Sequence, residues 1–405
     1  MRPAPVPNGR NVLPRETVAP NAEPLRILAV SHACVVGANQ HVYQELARHP
    51  DVALTLLMPS HYESDFDGRR IVADRVVGDG FRIITGRPAL AGNGSLYFYL
   101  TGLSRAFREA RPSVTFVDEE PWSLSALQVV RQAELCRSRI VFYSKQNIKK
   151  RLPLPSRLIE SAVLRATHHA CAISDEAAEV LRWKGYGGPI TLLPHGVDPV
   201  RFSPRDTRLL RSRLGLTGTV FAYFGRLVPQ KGVGVFLSAA TRMAATEASP
   251  ITFWVVGSGP EEDTLRGVVK DTAGRFVFLP QVPHLDVADY LSVADVVVVP
   301  SLTTPRWKEQ FGRVIIEALA CGVPVIGSDS GEIPGLIRRL GGGLISPEGD
   351  VEALAAAMRG LLADPLRRQR LAQTGRRAVL ETYTNAAVAA TMRAVCREAA
   401  RAPAS

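Results

Sequence analysis

Two glutamates with seven residues between them, Glu309 and Glu317, stand in the stretch KEQFGRVIIEALACG over residues 308–322. An ionised glutamate is an acceptor-only group that binds hydroxyls well. On one unbroken helix, eight positions leave the pair about 80° apart, so they would not share a face. Upstream, GRLVPQKG (225–232) sets Arg226 and Lys231 behind Gly225, a residue that permits a tight turn. Two cations beside a helix N-terminus make an anion site suited to phosphate. Carboxylates next to that site would repel a phosphate unless they meet hydroxyls instead. The four side chains therefore fit a ligand with a diphosphate centre and a polyol at each end.

Side chains so far apart in the chain need a scaffold. The apolar runs LRILAVS, ALTLLMP, FRIITG, VTFVDE, RIVFYS, ACAIS and ITLLP read as strands, mostly continuous rather than alternating, as in parallel strands buried on both faces. The helical stretches NQHVYQELARH and SLSALQVVRQAELCR lie between some of them, which predicts a doubly wound α/β sheet. The pattern lapses at PHGVDPVRFSPRDTRLLRSRLGL (194–216). It resumes with TVFAYFG, ITFWVVGSG, RFVFLP, VVVVPS, VPVIGS and GGLISP. The expected architecture is α/β, with two Rossmann-like doubly wound domains facing across a cleft and ligands outside the carboxyl ends of the strands. A length of 405 residues also favours two domains. The expected boundaries are a disordered leader over 1–24, which carries six prolines, a first domain over 25–200 and a second over 201–384. A helical pattern follows from residue 383.

In this frame the helix after VVVVPS should begin near Phe311–Gly312 and stop at Cys321–Gly322, ahead of Pro324, burying Val314, Ile315, Ala318 and Leu319. Glu309 then falls in the loop and Glu317 within the helix, and a bend at Gly312 lets both face one ligand. GSGPEE (257–262) lacks the last glycine of a dinucleotide fingerprint and reads as a turn entering a helix. GSDSGEIPG (327–335) offers backbone N–H groups near Ile333–Pro334 to an anion or hydroxyl.

Composition sets the exclusions. The chain is 46% hydrophobic and 21% charged, an ordinary globular balance, and no apolar run approaches the ~18 residues of a membrane span. Cysteines 34, 136, 171, 321 and 396 form no Cys-x-x-Cys pair, and no apolar h-region marks a secretory signal, so the expected location is a reducing cytoplasm. The net charge of +11 is spread over both halves, which argues against nucleic acid as a partner. Its one local cluster, KQNIKKRLPLPSR (145–157), is either a solvated loop or a surface for an anionic acceptor or membrane headgroup. SDFDG (64–68) contains Asp-x-Asp but sits in a polar loop, and no metal site is expected there.

DVVVVPS…EQFGRVIIEALACGVPVIGSDSGEIP (295–335), with GRLVPQKG and LLPHGVDPVRFSP, resembles the retaining glycosyltransferases of family four, which have the GT-B fold. The resemblance covers roughly residues 25–400 and is strongest from 190 to 350. It implies transfer of a sugar from a nucleotide-diphosphate sugar to an acceptor hydroxyl with retained configuration, without metal or other cofactor. The acceptor would be a glycan, a lipid-linked or a small molecule. It also implies Glu309 on the donor sugar, Glu317 on the ribose, and backbone N–H groups of Phe311 and Gly312 by the sugar and phosphates. Arg226 and Lys231 would neutralise the leaving diphosphate, the stretch at Gln281–Val282 would cup the base, and Gly37, Gly225 and Arg313 would complete the donor site. Residues 385–405 would return to the first domain as a strap.

Three departures from the family pattern bear on the site. The common Gly-Gly-x-x-Glu is replaced around Ser330-Gly331-Glu332, and the loop after the opening strand has only Gly37. No histidine follows the fifth strand, where Gln146 and Asn147 become candidates to contact sugar or acceptor. Glu119 and Glu120 of DEEPWS either contact the acceptor or lie in a solvated loop, and His32 is an acceptor candidate beside a packing role. His195 is expected to order the domain junction. The rivals are a nucleotide-sugar epimerase of GT-B-like fold and a catalytically silent nucleotide-sugar-binding protein. Peripheral contact with an anionic membrane at its inner face would run through Lys145–Arg157.

Overall fold

Each of the thirteen apolar runs becomes a strand in the computed structural model, which describes residues 23–63, 68, 70–75, 80–270 and 275–401. Asp65 and Asp67 of the Asp-x-Asp motif, and residues 1–22 of the expected leader, lie outside the described residues. The first sheet holds β1 (Leu25–Ser31), β2 (Val52–Pro59), β3 (Arg82–Gly86), β4 (Val114–Asp118), β5 (Arg139–Ser144), β6 (His169–Ala172) and β7 (Ile190–Leu192) in the order β7-β6-β5-β4-β1-β2-β3. The second holds β8 (Thr219–Phe224), β9 (Ile251–Val256), β10 (Arg275–Leu279), β11 (Val296–Val299), β12 (Val325–Ser328) and β13 (Gly343–Ser346) in the order β10-β9-β8-β11-β12-β13.

All pairings within both sheets are parallel, and each sheet reverses its direction of growth once. The reversals fall between β1 and β4 and between β8 and β11. Loops leaving the two strands there diverge and open a crevice. This is the GT-B arrangement of two similar doubly wound domains. Two short antiparallel ladders, His61–Glu63 with Arg70–Val72 and Pro88–Ala89 with Phe98–Tyr99, were not expected. Strands of two or three residues leave no readable period.

The chain crosses between the sheets twice, and the crossings touch. Val197 N donates to Tyr383 O at 2.8 Å and Asn385 N donates to Val197 O at 2.9 Å. Gly196 is needed at this contact, because a Cβ there would lie 2.5 Å from Asn385 Oδ1. Beyond the second crossing, the helix Asn385–Arg401 lies on the helix His41–Ala47 and on β1, β4 and β5 of the first domain. It buries Val388, Ala389, Met392, Val395, Cys396 and Ala399, one stripe at helical period. Arg393 Nε lies 3.0 Å from both oxygens of Asp51, and Arg397 bonds the same carboxylate.

Asp51 is thus the polar anchor of this helix. Asp51→Ala leaves two guanidinium groups without their carboxylate and is expected to lower unfolding stability by about 2 kcal/mol, read as a drop in the urea midpoint. Burial works to raise the Asp51 pKa, but the hydrogen bond and charge of Arg393 and the charge of Arg397 outweigh it and hold it below its ordinary 3.8. A depressed carboxylate stabilises above its unfolded-state value and loses that contribution as pH falls through the folded-state value. The gap between variant and wild type should therefore narrow below about pH 4.

Candidate active site

Gly225 and Arg226 leave β8 at the reversal of the second sheet, and close packing fixes their path. Leu227 N donates to Ser258 O at 3.0 Å, and a Cβ on Gly257, whose φ is +149°, would lie 1.8 Å from Gly225 O. Lys231 ends a short 3₁₀ turn, Pro229–Lys231, and Gly232 (φ +67°) leads from it into the helix Val233–Ala244. A Cβ on Gly232 would lie 1.8 Å from Pro300 O, so this glycine lets the loops after β8 and β11 meet.

The β11 loop carries Glu309, which is only 8% exposed. Its Oε2 accepts from Lys231 Nζ at 2.6 Å and from Ser301 Oγ at 2.9 Å. The ammonium also lies 5.0 Å from the centre of the Trp307 ring. The Glu309 carbonyl accepts from Asn147 Nδ2 of the first domain at 3.0 Å and from Glu332 N at 3.1 Å. A Cβ on Gly331 would lie 2.0 Å from that carbonyl oxygen. The Ser330-Gly331-Glu332 turn therefore uses its Glu332 N–H on Glu309, where the sequence reading had offered this loop's N–H groups to a ligand.

Gly312 (φ +80°) turns the chain into the helix Arg313–Ala320, with Glu309 outside it and Glu317 inside it, as the pattern predicts. The buried stripe is Ile315, Ile316, Ala318, Leu319 and Ala320, while Val314 is half-buried and lines the cleft. The Phe311 ring is buried, 5.4 Å from His195 and 6.2 Å from Tyr383.

Three cavities meet here. One of about 570 Å³ is lined by Arg226, Ser258, Gln281, Val282, Arg313 and Glu317. A second of about 210 Å³ reaches Lys231, Ser301, Glu309 and Gly312. The third, about 240 Å³, runs toward the crossings past Asn39, Asp118, His195 and Arg201. Arg313 borders all three, donating to Asn39 Oδ1 at 3.1 Å and lying 3.2 Å from His195 Nδ1. Burial, then the charges of Arg313 and Lys145, hold the His195 pKa well below its ordinary value. A neutral imidazole with Nδ1 as acceptor follows, in keeping with a role in ordering the junction. Burial raises the Glu317 carboxyl pKa, with Arg313 and Arg201 opposing it.

Across the cleft, the reversal of the first sheet gathers charge. His32 follows β1 and its Nδ1 lies 2.8 Å from Glu119 Oε2, while Ser125 Oγ and Tyr97 Oη donate to the same carboxylate at 3.2 and 3.3 Å. Lys145 pairs with Asp118 at 2.6 Å, and Ser31 Oγ donates to Asp118 Oδ2 at 2.8 Å. Glu119 is therefore a buried structural acceptor and no solvated loop residue. Burial raises the Glu120 carboxyl pKa, against the charges of His32 and Lys145. Gln146 Oε1 accepts from Lys184 Nζ at 2.6 Å, and its buried Nε2 has no hydrogen-bond partner among the described residues.

Gly37 is buried in a 3₁₀ turn, Gly37–Gln40, and its neighbours Ala38 and Asn39 border the cavity toward the crossings. The stretch 145–157 is no single loop. Lys145 faces the cleft, Lys149, Lys150 and Arg151 are exposed, and the helix Leu154–Ala166 starts inside it. The sequence does not single out Asn39, Glu176 and Lys308, because their contacts join distant segments, nor Ser301, whose contact with Glu309 lies within one loop.

Residues 209–378 match the family model described as glycosyl transferases group 1. The chain is 36% identical over 191 residues to the GDP-mannose-dependent monoacylated alpha-(1-6)-phosphatidylinositol monomannoside mannosyltransferase of Corynebacterium glutamicum, covering 45% of this chain and 50% of the relative. It is 29% identical over 332 residues to the 2-deoxystreptamine N-acetyl-D-glucosaminyltransferase of Streptomyces fradiae, covering 73% and 76%. Over the first three relatives, the chain spans about half their length. Among solved structures, Anabaena Alr3699/HepE in complex with UDP superposes with a TM-score of 0.70 at 16% identity, covering 92% of this chain and 100% of that one.

The His32–Glu119 pair gives a direct test of the electrostatics. Burial by itself would depress the imidazole pKa, but the charge and hydrogen bond of Glu119, helped by Asp118, raise it from 6.5 to about 9. In an NMR titration the His32 ring should lose its proton near pH 9. In Glu119→Gln the midpoint should fall toward or below 6.5, because burial then meets less opposition.

Proposed function

We propose, from the match of residues 209–378 to the group 1 glycosyltransferase model, that the chain is a glycosyltransferase of that group, and that it transfers a sugar from a nucleotide-diphosphate sugar to an acceptor hydroxyl with retained configuration and without a metal. The observation that carries this reading is the junction of Lys231, Glu309 and the helix N-terminus at Gly312, beside a cavity bordered by Arg226, Gln281 and Glu317. The nucleoside occupies the larger cavity, with the base against Gln281–Val282 and the ribose hydroxyls on Glu317. The diphosphate lies along Arg226, Lys231 and the Gly312 backbone, and the sugar hydroxyls meet Glu309. The UDP complex of the structural neighbour supports a nucleotide in this fold.

As the bond to the departing diphosphate breaks, negative charge grows on phosphate oxygens and positive charge on the sugar carbon. Arg226, Lys231 and the backbone N–H groups are already oriented toward the former, which lowers the barrier without reorganisation. The leaving phosphate oxygen takes the proton of the incoming hydroxyl on the same face. Closure of the cleft keeps out water that would otherwise hydrolyse the donor. The acceptor sits against the first-domain loops at His32, Glu119, Glu120, Gln146 and Asn147. Glu120 and Gln146 present the groups left over from the pairs described above. The acceptors in the relatives' names are polyhydroxylated, which supports a polyol here.

Glu309→Ala and Lys231→Ala are each expected to cut kcat by at least about 10²-fold with far-UV CD preserved, and Lys231→Ala, which leaves the buried Glu309 without its ammonium, should also lower Tm. Near-normal turnover in either would overturn the assignment. One of UDP-, GDP-, ADP- and dTDP-sugars should raise the Tm of the wild type, and EDTA should leave turnover unchanged. Isomerised donor formed with no acceptor present would instead identify an epimerase.

No helix among the described residues is long and apolar enough to cross a membrane. Exposed Lys149, Lys150 and Arg151 stand beside Leu154 and Leu158, which are 59% and 60% exposed, and this supports peripheral contact with anionic lipid. The full chain should co-sediment with phosphatidylglycerol vesicles and not with phosphatidylcholine ones. Lys149→Glu combined with Lys150→Glu and Arg151→Glu should abolish that binding.

A further inference from the structure

The Glu309 carbonyl has one donor from each side of the cleft, and both donors lead to two consecutive residues of the first domain. Asp175 and Glu176 occupy the first turn of the helix Asp175–Trp183, where the helix dipole favours carboxylates. Glu176 Oε2 accepts from Asn147 Nδ2 at 3.1 Å, the same amide nitrogen that donates to Glu309 O. Glu176 Oε1 accepts from Lys308 Nζ at 2.5 Å, and Lys308 is the residue before Glu309. Asp175 Oδ2 accepts from Arg339 Nη1 at 3.2 Å. Arg339 also bonds the Glu332 carboxylate, and Glu332 N is the other donor to the Glu309 carbonyl.

Glu176 therefore orients a first-domain donor and holds a second-domain lysine with one carboxylate. The Lys308 and Glu176 side chains are 23% and 31% exposed, and those of Arg339 and Asp175 are 41% and 64% exposed. Pairs so open to solvent contribute little to stability taken singly. Their effect is geometric, and they can break and reform as the domains move.

We propose that Glu176, seconded by Asp175, is a positioning residue that completes the donor site when the cleft closes. The inference rests on the donor-site reading above. In the closed cleft, Asn147 and Lys308 are locked together by Glu176, and the loop bearing Glu309 is fixed at its carbonyl and at its preceding side chain. On opening, Asn147 and Glu176 leave with the first domain, and the Glu309 carbonyl keeps only the Glu332 N–H. The Glu309 carboxylate then loses the placement that transfer requires, so sugar transfer and closure occur together.

The test compares Glu176→Ala, the isosteric Glu176→Gln, Lys308→Met and the Glu176→Ala/Lys308→Met double variant in the full chain. Spin labels on Cys136, the exposed cysteine, and on Ala248→Cys report the distance between domains. Loss of Glu176 should extend the label distances to longer values and lower kcat about tenfold, with donor KM within twofold and Tm held. Glu176→Gln should fall between wild type and Glu176→Ala. Lys308→Met should match Glu176→Ala, and the double variant should fall no further. Wild-type distances and kcat in Glu176→Ala, or losses that multiply in the double variant, would overturn the proposal. If Glu176→Ala does not fold, the same two measurements on Glu176→Gln and Lys308→Met decide it. The donor-site reading fails separately, through turnover retained in Glu309→Ala, and the distance measurement decides the latch without turnover.

Discussion

A carboxylate can face the landing place of a diphosphate only while a cation shares it. At the proposed donor site the Lys231–Glu309 pair meets that constraint, and much of the surrounding structure makes the pair possible. The two residues are 78 positions apart and leave different strands of the second sheet. They meet because those strands are neighbours at the reversal point, and because Gly232 lets their loops approach to a distance no side chain would permit. A carboxylate that is 8% exposed loses most of its hydration, and unpaired it would be costly. Lys231 and Ser301 supply the compensating hydrogen bonds on the side chain, and Asn147 and Glu332 hold the backbone.

Arg313 plays the complementary part on the other side of Gly312. Its guanidinium borders the three cavities described above and reaches Asn39 in the first domain and His195 at the crossing. A planar fork with five donors suits a position where several acceptors converge. A change at the cavity of Arg226 and Gln281 is thereby one side chain away from the crossings between the sheets. The first-domain face is built on the same logic, with Lys145 on Asp118 and His32 on Glu119, and the adjacent Glu120 makes no ion pair among the described residues.

Both sheets were legible in the sequence because their strands are buried on both faces and read as unbroken apolar runs. The division of Glu309 and Glu317 between loop and helix was also legible, from the glycine at 312 and the stop at 322–324. What the sequence hid is of two kinds. The short ladders at 61–72 and 88–99 are too brief to carry a period, and the helix at 154 begins within a run of prolines and cations. The second kind is contact across the fold. Asn147 meets the Glu309 carbonyl at a separation of 162 residues, and Lys308 meets Glu176 at 132. Glu119 was left between acceptor contact and solvated loop, since a hydrophilic triplet gives no sign that His32, Tyr97 and Ser125 will close around one member.

The return of the helix Asn385–Arg401 to the first domain bears on how the protein is made. The seven strands of the first sheet leave the ribosome early, but the helix that covers β1, β4 and β5 and neutralises Asp51 is translated nearly two hundred residues later. At roughly 10 residues per second, that apolar face stays uncovered for about 20 s. The second sheet, drawn from one continuous stretch, has no such wait. During synthesis, the first domain is therefore the part with an apolar face still open to other chains, until the helix bearing Arg393 and Arg397 arrives.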